Sequence, residues 1–215
     1  MNDPEFGNDF NLLKDGSTDS TSIEAYYDDW AETYDATLKD WDYQAPEDAA
    51  IALCEHLKSG DKILDVGCGT GMFAQAMSRH LDCRIEGMDI SAASLEIAEK
   101  QGKYDRLQRH NLQDTPLPVT ENAFAAAACI GVMTYIEDTA ALLADLCRVT
   151  QPDGYILFTQ RDDHWVEKEF DSLINSFEER KLWTPLKVSK AKSYLPKNDD
   201  FGDSIRVIHV LCQVA

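Results

Sequence analysis

The sequence predicts an α/β fold: one doubly wound, seven-stranded sheet, mostly parallel, with an antiparallel C-terminal edge strand. Three observations carry this expectation. Helix-like and strand-like segments alternate through most of the chain; "ILDVGCGTG", Ile63 to Gly71, sets three glycines at every second position directly after an apolar run; and "IRVIHVLCQV", Ile205 to Val214, alternates apolar and polar residues as a half-buried antiparallel strand does.

Taken in order, residues 1–22 are rich in Asn, Asp, Gly, Ser and Thr without periodicity, and read as a flexible acidic tail ahead of one domain over 23–215. "SIEAYYDDWAETYDATL" and "APEDAAIALCEHLKSG" carry helical spacing. From there strands and helices alternate: "KILDVG", helix "MFAQAMSRHL", "CRIEGMD", helix "SAASLEIAEKQG", "YDRLQRHN", "AFAAAACIGV", helix "DTAALLADLCRVT" and "GYILFT". Gly60 closes the helix before the first strand, and Pro152 with Gly154 marks the turn into the strand near Tyr155. In "AFAAAACIGV" alanine propensity favours helix, whereas short length and the slot in the alternation favour a buried strand, which is the assignment made. "WVEKEFDSLINSFEERK" reads as one amphipathic helix, followed by the strands "LWTPLKVSK" and "IRVIHVLCQV". No internal repeat interrupts this order.

Composition narrows the function. A chain of 215 residues with 44% hydrophobic content is long enough for one core, since a domain of this size buries roughly 70% of its unfolded surface. The net charge of -19 argues against nucleic acid and against an acidic membrane surface, both of which ask for clustered Lys and Arg. The first fifty residues hold 14 Asp and Glu against Lys14 and Lys39, a pattern that reads first as a solvated face. Six cysteines without a C-x-x-C pair suggest reduced, buried thiols and no metal site; with no signal-like start and no apolar run of membrane length, a cytoplasmic protein is expected, and a monomer.

The glycine stretch points to a ligand. In an open α/β sheet the first strand-to-helix turn offers backbone N–H groups to whatever lies beyond the strand ends. Gly67-x-Gly69-x-Gly71 departs from the dinucleotide pattern G-x-G-x-x-G, whose sixth position here is Met72. Asp65, two residues before the first glycine, lies by this reading near a strand mouth reached by solvent, where it would repel a pyrophosphate and welcome an amine. Asp89 follows Gly71 by eighteen residues and ends the second strand, where an acid accepts from ribose hydroxyls. The two acids bracket a nucleoside that carries an ammonium group, a description that fits S-adenosylmethionine.

"LDVGCGTG", "GMDIS" and "RVTQPDGYILFT" together resemble the class I S-adenosylmethionine-dependent methyltransferases, whose fold is Rossmann-like, over about Tyr26 to Ala215. Shorter stretches, "YDDWAETYD", "IGVMTYIED" and "SYLP", are similar to the Williams-Beuren region methyltransferase-like proteins. The resemblance implies that Asp65, Gly67, Cys68 and Gly69 lie along the methionyl side of the cofactor. It implies that Asp89 with Ile90 holds ribose and adenine, that Asn111 and Leu112 meet the adenine ring, and that Ile130 and Tyr34 complete the site. The family more often has Asp where Asn111 stands; an amide bonds the adenine amine through its carbonyl oxygen. It further implies methyl transfer to a small-molecule oxygen or nitrogen, leaving S-adenosylhomocysteine. A protein side chain as acceptor and a non-catalytic cofactor-binding role are the alternatives.

For catalysis the sequence offers only His164, Tyr135 and Tyr34. His164 follows the fifth strand, near the substrate mouth, and could serve as a general base; a surface histidine opening a helix is the plainer account. Tyr34 and Tyr135 present aromatic faces that attract a sulfonium, and simple packing explains them equally. Cys68 reads better as a small residue in a crowded turn than as a nucleophile.

Overall fold

The computed structural model describes residues 11–199, 201 and 204–215. Helices α1 (Asn11–Asp15), α2 (Ser20–Asp40) and α3 (Ala45–Cys54) lead into β1 (Lys62–Val66), α4 (Met72–His80), β2 (Arg84–Asp89), α5 (Ala92–Gln101) and β3 (Arg106–Arg109). Then come β4 (Phe124–Cys129), a 3-10 turn at Met133–Tyr135, α6 (Thr139–Val149), β5 (Thr150–Arg161), α7 (Asp162–Glu167) and α8 (Phe170–Glu179). The chain closes its sheet with β6 (Trp183–Val188), the two-residue β7 (Lys192–Ser193) and β8 (Arg206–Val214).

The strand order is β3-β2-β1-β4-β5-β8-β6, with β7 pairing β8. β1 to β5 pair in parallel. β8 runs antiparallel to both β5 and β6, so the expected antiparallel edge is present but the C-terminal strand lies one place inside it. β6 forms the outer edge, as Pro185 requires: a residue without an N–H is tolerated there, and the register shifts between Pro185 and Lys187. β7 makes the eighth strand that the sequence did not announce.

Side-chain alternation divides the core. Leu64 and Val66 of β1 join the cluster under α6, α7 and α8, while Ile63 joins the one under α3 and α4. The alanine run is a strand because β4 sits mid-sheet: Ala126, Ala127 and Ala128 are each fully buried, and burial on two faces outweighs helix propensity. A third cluster lies over the C-terminal strand ends and joins α1 and α2 to Tyr135, Tyr194 and Phe201.

Two expectations need correction. The boundary at residue 22 falls inside α2, and α1 ahead of it packs Leu13 into the third cluster at 4% exposure. Residues 1–10 of the expected tail lie outside the described residues. The single helix expected from Trp165 breaks at Glu169, whose φ is 48°. The break follows from packing, since it lets Trp165 stack on Phe170 at 5.2 Å and both enter the core. It also sends the Lys168 ammonium to the carbonyls of Met133, Thr134 and Ile136 at 3.2, 3.1 and 2.7 Å, fixing the turn that carries Tyr135. Among the described residues no helix is long and apolar enough to cross a membrane.

Candidate active site

The three glycines adopt left-handed backbone, with φ of 74°, 50° and 97° at Gly67, Gly69 and Gly71. At Gly67 a side chain has no room: an added Cβ would lie 2.2 Å from Cγ2 of Val132. This freedom lets the loop after β1 bond back to the end of β2. Gly67 and Cys68 donate to the Met88 carbonyl at 2.8 and 3.0 Å. Gly69 donates to Oδ2 of Asp89 at 2.8 Å, and Ser91 donates to Oδ1 at 2.9 Å. The Asp89 carboxylate is thus held by one backbone N–H on each oxygen, and each oxygen keeps a lone pair for another donor. Burial lifts its pKa above the usual carboxylate range, while the N–H groups of Ser91, Gly69 and Ile90 pull it down.

Beside this carboxylate lies a pocket of about 90 Å³. Gly67, Gly69, Asp89 and Ile90 line it on one side, with Asn111 and Leu112 beyond. Ile130, Tyr34 and Tyr135 line it as well. Asp65 and Cys68 instead line a smaller adjoining pocket that shares Tyr34, Gly67, Gly69 and Ile130 with the first. His164 is brought to neither: its ring packs beneath Gly16, and Nδ1 lies 3.0 Å from Oε2 of Glu167.

Two of the expected residues differ in detail. Asp65 is not at a solvated strand mouth; it is 1% exposed and accepts from the Tyr104 hydroxyl at 2.7 Å. Burial pushes its carboxyl up to about 7, the Tyr104 bond opposes this, and the charge of Asp89 adds to the rise. Asn111 does not hold its carbonyl oxygen free, because Oδ1 accepts from Ser20 Oγ at 3.2 Å and from the Gln113 N–H at 3.1 Å. An adenine amine at that oxygen would have to displace Ser20.

Sequence reasoning missed what α2 does. Ser20, Ile23, Tyr27 and Tyr34 of this helix all line the larger pocket, so α2 is its roof. Glu24, Asp28 and Asp35 share one helix face at spacings of four and seven, and each fastens the roof to a different loop. Asp35 accepts from Thr70 Oγ1 at 2.5 Å after β1, and Asp28 accepts from Ser91 Oγ and the Ala93 N–H at 2.6 and 3.1 Å after β2. Glu24 pairs with Arg109 at the end of β3. These acids therefore turn inward, against the solvated reading of the acidic N-terminal region; the i, i+4, i+11 spacing was the available signal. Gln113, also missed, donates to the carbonyls of Tyr135 and Thr18 at 2.8 and 3.2 Å and accepts from the Glu137 N–H at 3.0 Å. The hydroxyls of Tyr27 and Tyr135 meet at 3.0 Å, and burial raises both pKa values above the usual phenol range.

Residues 64–158, from β1 into β5, match the family described as "Methyltransferase domain". Human methyltransferase-like protein 27 is 29% identical over 167 residues, covering 75% of this chain and 68% of that protein. Over these residues the chain is similar to the class I S-adenosylmethionine-dependent methyltransferases. A ubiquinone biosynthesis O-methyltransferase of Alkalilimnicola ehrlichii is 29% identical over 116 residues, 51% of this chain and 45% of that enzyme. The chain thus spans about two thirds of the human relative's length and less than half of the bacterial one's. Among solved structures, a methyltransferase of Thermotoga maritima described as a possible histamine N-methyltransferase superposes with a TM-score of 0.63 at 15% identity, over 88% of this chain and 98% of that one. That likeness is one of fold.

Proposed function

We propose that the larger pocket holds S-adenosylmethionine and that the protein, a cytoplasmic monomer, transfers its methyl group to a small-molecule oxygen or nitrogen. The observation that carries this reading is the Asp89 carboxylate, held from behind by Gly69 and Ser91 with acceptor capacity left toward the pocket. A vicinal diol supplies the two donors that this carboxylate lacks. The remaining residues fit the other parts of the cofactor. Ile90 and Leu112 give apolar surface on either side of a purine, Asn111 stands at its edge, and the glycine loop admits the methionyl chain. Asp65, whose burial without a cation raises its pKa to about 7, becomes better satisfied as an anion when an ammonium group lies near it.

When bound, the cofactor supplies a methyl group already activated by a sulfonium. The protein's own part is alignment and exclusion of water. α2 closes the pocket from above, and Tyr27, Tyr34 and Tyr135 line it with phenol rings and hydroxyls. With pKa values raised by burial these hydroxyls act as hydrogen-bond partners of the acceptor rather than as bases. The confined roof favours a small acceptor over a protein side chain.

The test is thermal denaturation with S-adenosylhomocysteine. Binding to the folded state alone at 100 times the dissociation constant adds about 2.7 kcal/mol, read as a rise in Tm. Folded, cofactor-free protein whose Tm stays unchanged with both S-adenosylmethionine and S-adenosylhomocysteine would overturn the proposal. Radiolabelled methyl transfer to fractionated small-molecule extract then identifies the acceptor.

A further inference from the structure

Arg161 ends β5 beside the third core cluster, over the ring of Phe201 at 6.0 Å, and it is 4% exposed. Its Nε and Nη2 donate to Asp163 at 3.0 and 2.5 Å. The other edge of the guanidinium is taken by main chain: Nη1 donates to the Leu13 carbonyl at 2.5 Å and Nη2 to the Lys14 carbonyl at 2.8 Å. Both carbonyls belong to α1. An arginine at a helix C-terminus is ordinary as a cap for orphan carbonyls.

Three features here go beyond a cap. α1 has five residues, too few to sustain a helix without its surroundings. Its buried anchor, Leu13, rests in the cluster that contains Tyr135, a residue lining the pocket. And the Arg161 charge reaches the hydroxyls of Tyr135 and Tyr194, opposing the rise that burial gives them. α1 therefore packs on a buried guanidinium and shares a cluster with the pocket-lining Tyr135. Two carbonyl oxygens on the Nη1–Nη2 edge stand where the two oxygens of one carboxylate would stand, the fork geometry in which a guanidinium holds a carboxylate by two parallel bonds.

We propose that residues 11–16 are a displaceable stopper on a carboxylate-binding subsite at Arg161, which receives the carboxylate of the methyl acceptor when α1 leaves. The word acceptor rests on the methyl-transfer reading; the anion subsite does not. Gly16 provides the means of separating the two. With φ of 70°, and with an added Cβ only 2.6 Å from Thr134 Cγ2 and 3.0 Å from His164 Nε2, Gly16→Val dislodges α1 while leaving Arg161 and the pocket residues in place.

Trypsin cleavage after the exposed Lys14, followed by mass spectrometry on the full chain, reports release of α1, with benzoate as the probe and benzamide as its uncharged counterpart. When opening is fast relative to cleavage, benzoate at ten times its dissociation constant raises the cleavage rate about tenfold, and benzamide leaves it unchanged. Gly16→Val is cleaved rapidly without any probe and, by calorimetry, binds benzoate more tightly than the parent does; Arg161→Gln loses the benzoate response. Equal effects of benzoate and benzamide on the parent, or a Gly16→Val protein that does not bind benzoate, would overturn the subsite. S-adenosylhomocysteine stabilisation is measured on the same samples. A benzoate response without that stabilisation sinks the methyl-transfer reading alone, and the converse sinks the stopper alone.

Discussion

Replacing Asp65 by Asn should make the ligand-free protein more stable and its cofactor binding weaker, and the first effect should grow with pH. The folded carboxyl sits at about 7 against 3.8 for the unconstrained group, so the folded state holds this proton more tightly than the unfolded chain does. Stability is then lost as pH rises from about 4 through 7, in the direction set by linkage. The interval between the two values corresponds to roughly 4 kcal/mol once Asp65 is ionised in both states, and more than half of it develops between pH 5 and pH 8. The amide of the variant has no such proton and keeps an acceptor for the Tyr104 hydroxyl. Denaturant unfolding of ligand-free Asp65→Asn and parent protein at pH 5 and pH 8 measures the difference directly. The variant's advantage should be larger at pH 8 by about 2 kcal/mol. Binding of S-adenosylhomocysteine at pH 8 should move the other way, by about 2 to 3 kcal/mol, since removing one partner of a buried pair leaves the other uncompensated. An advantage that is the same at both pH values would show that Asp65 does not titrate as its burial demands.

Asp89→Ala should weaken S-adenosylhomocysteine by about ten- to a hundred-fold in calorimetry, the loss of roughly 1.5 to 3 kcal/mol expected for charge-assisted bonds; unchanged affinity would refute the ribose assignment. Gly67→Ala forces a Cβ against Val132 in left-handed backbone, and a fall in unfolding free energy below about 1 kcal/mol would mean that the turn is looser than described. Asp28→Ala removes the acceptor of Ser91 Oγ and the Ala93 N–H. It should lower stability by about 1 kcal/mol and speed S-adenosylhomocysteine release in stopped flow, whereas an unaltered release rate would show that α2 does not gate the pocket.

What was legible in the sequence was local. The Gly67 loop, the acid at Asp89 and the alternation of elements follow from backbone geometry and short-range periodicity, and each stands where those rules put it. Ala126 to Ala128 could be placed in a strand because the alternation left a vacancy there. What escaped depended on distant partners. The helix break at Glu169 exists because Lys168 and Trp165 have destinations far along the chain. The acids of α2 looked solvated because Thr70, Ser91 and Arg109 enter their surroundings only on folding. Asp65 was identified as a site residue, but its depth of burial depends on Tyr104, thirty-nine residues away.

The position of β8 between β5 and β6 also sets an order in time. Among the described residues β6 pairs only with β8, which lies later in the chain. During synthesis at ~5 to 20 residues per second, the stretch from Val188 to Arg206 takes about 1 to 4 seconds to appear, and through that interval β6 has no strand to join. Trp183 then lacks its β8 neighbour, Val214, and Leu186 and Val188, still about half exposed in the finished fold at 44% and 47%, are at their most adhesive. Pro185 and Lys187 stand between them and the nascent surface: one denies a backbone donor to a passing strand and the other adds charge. The same two residues that look like blemishes in a finished strand are guards for an unfinished one.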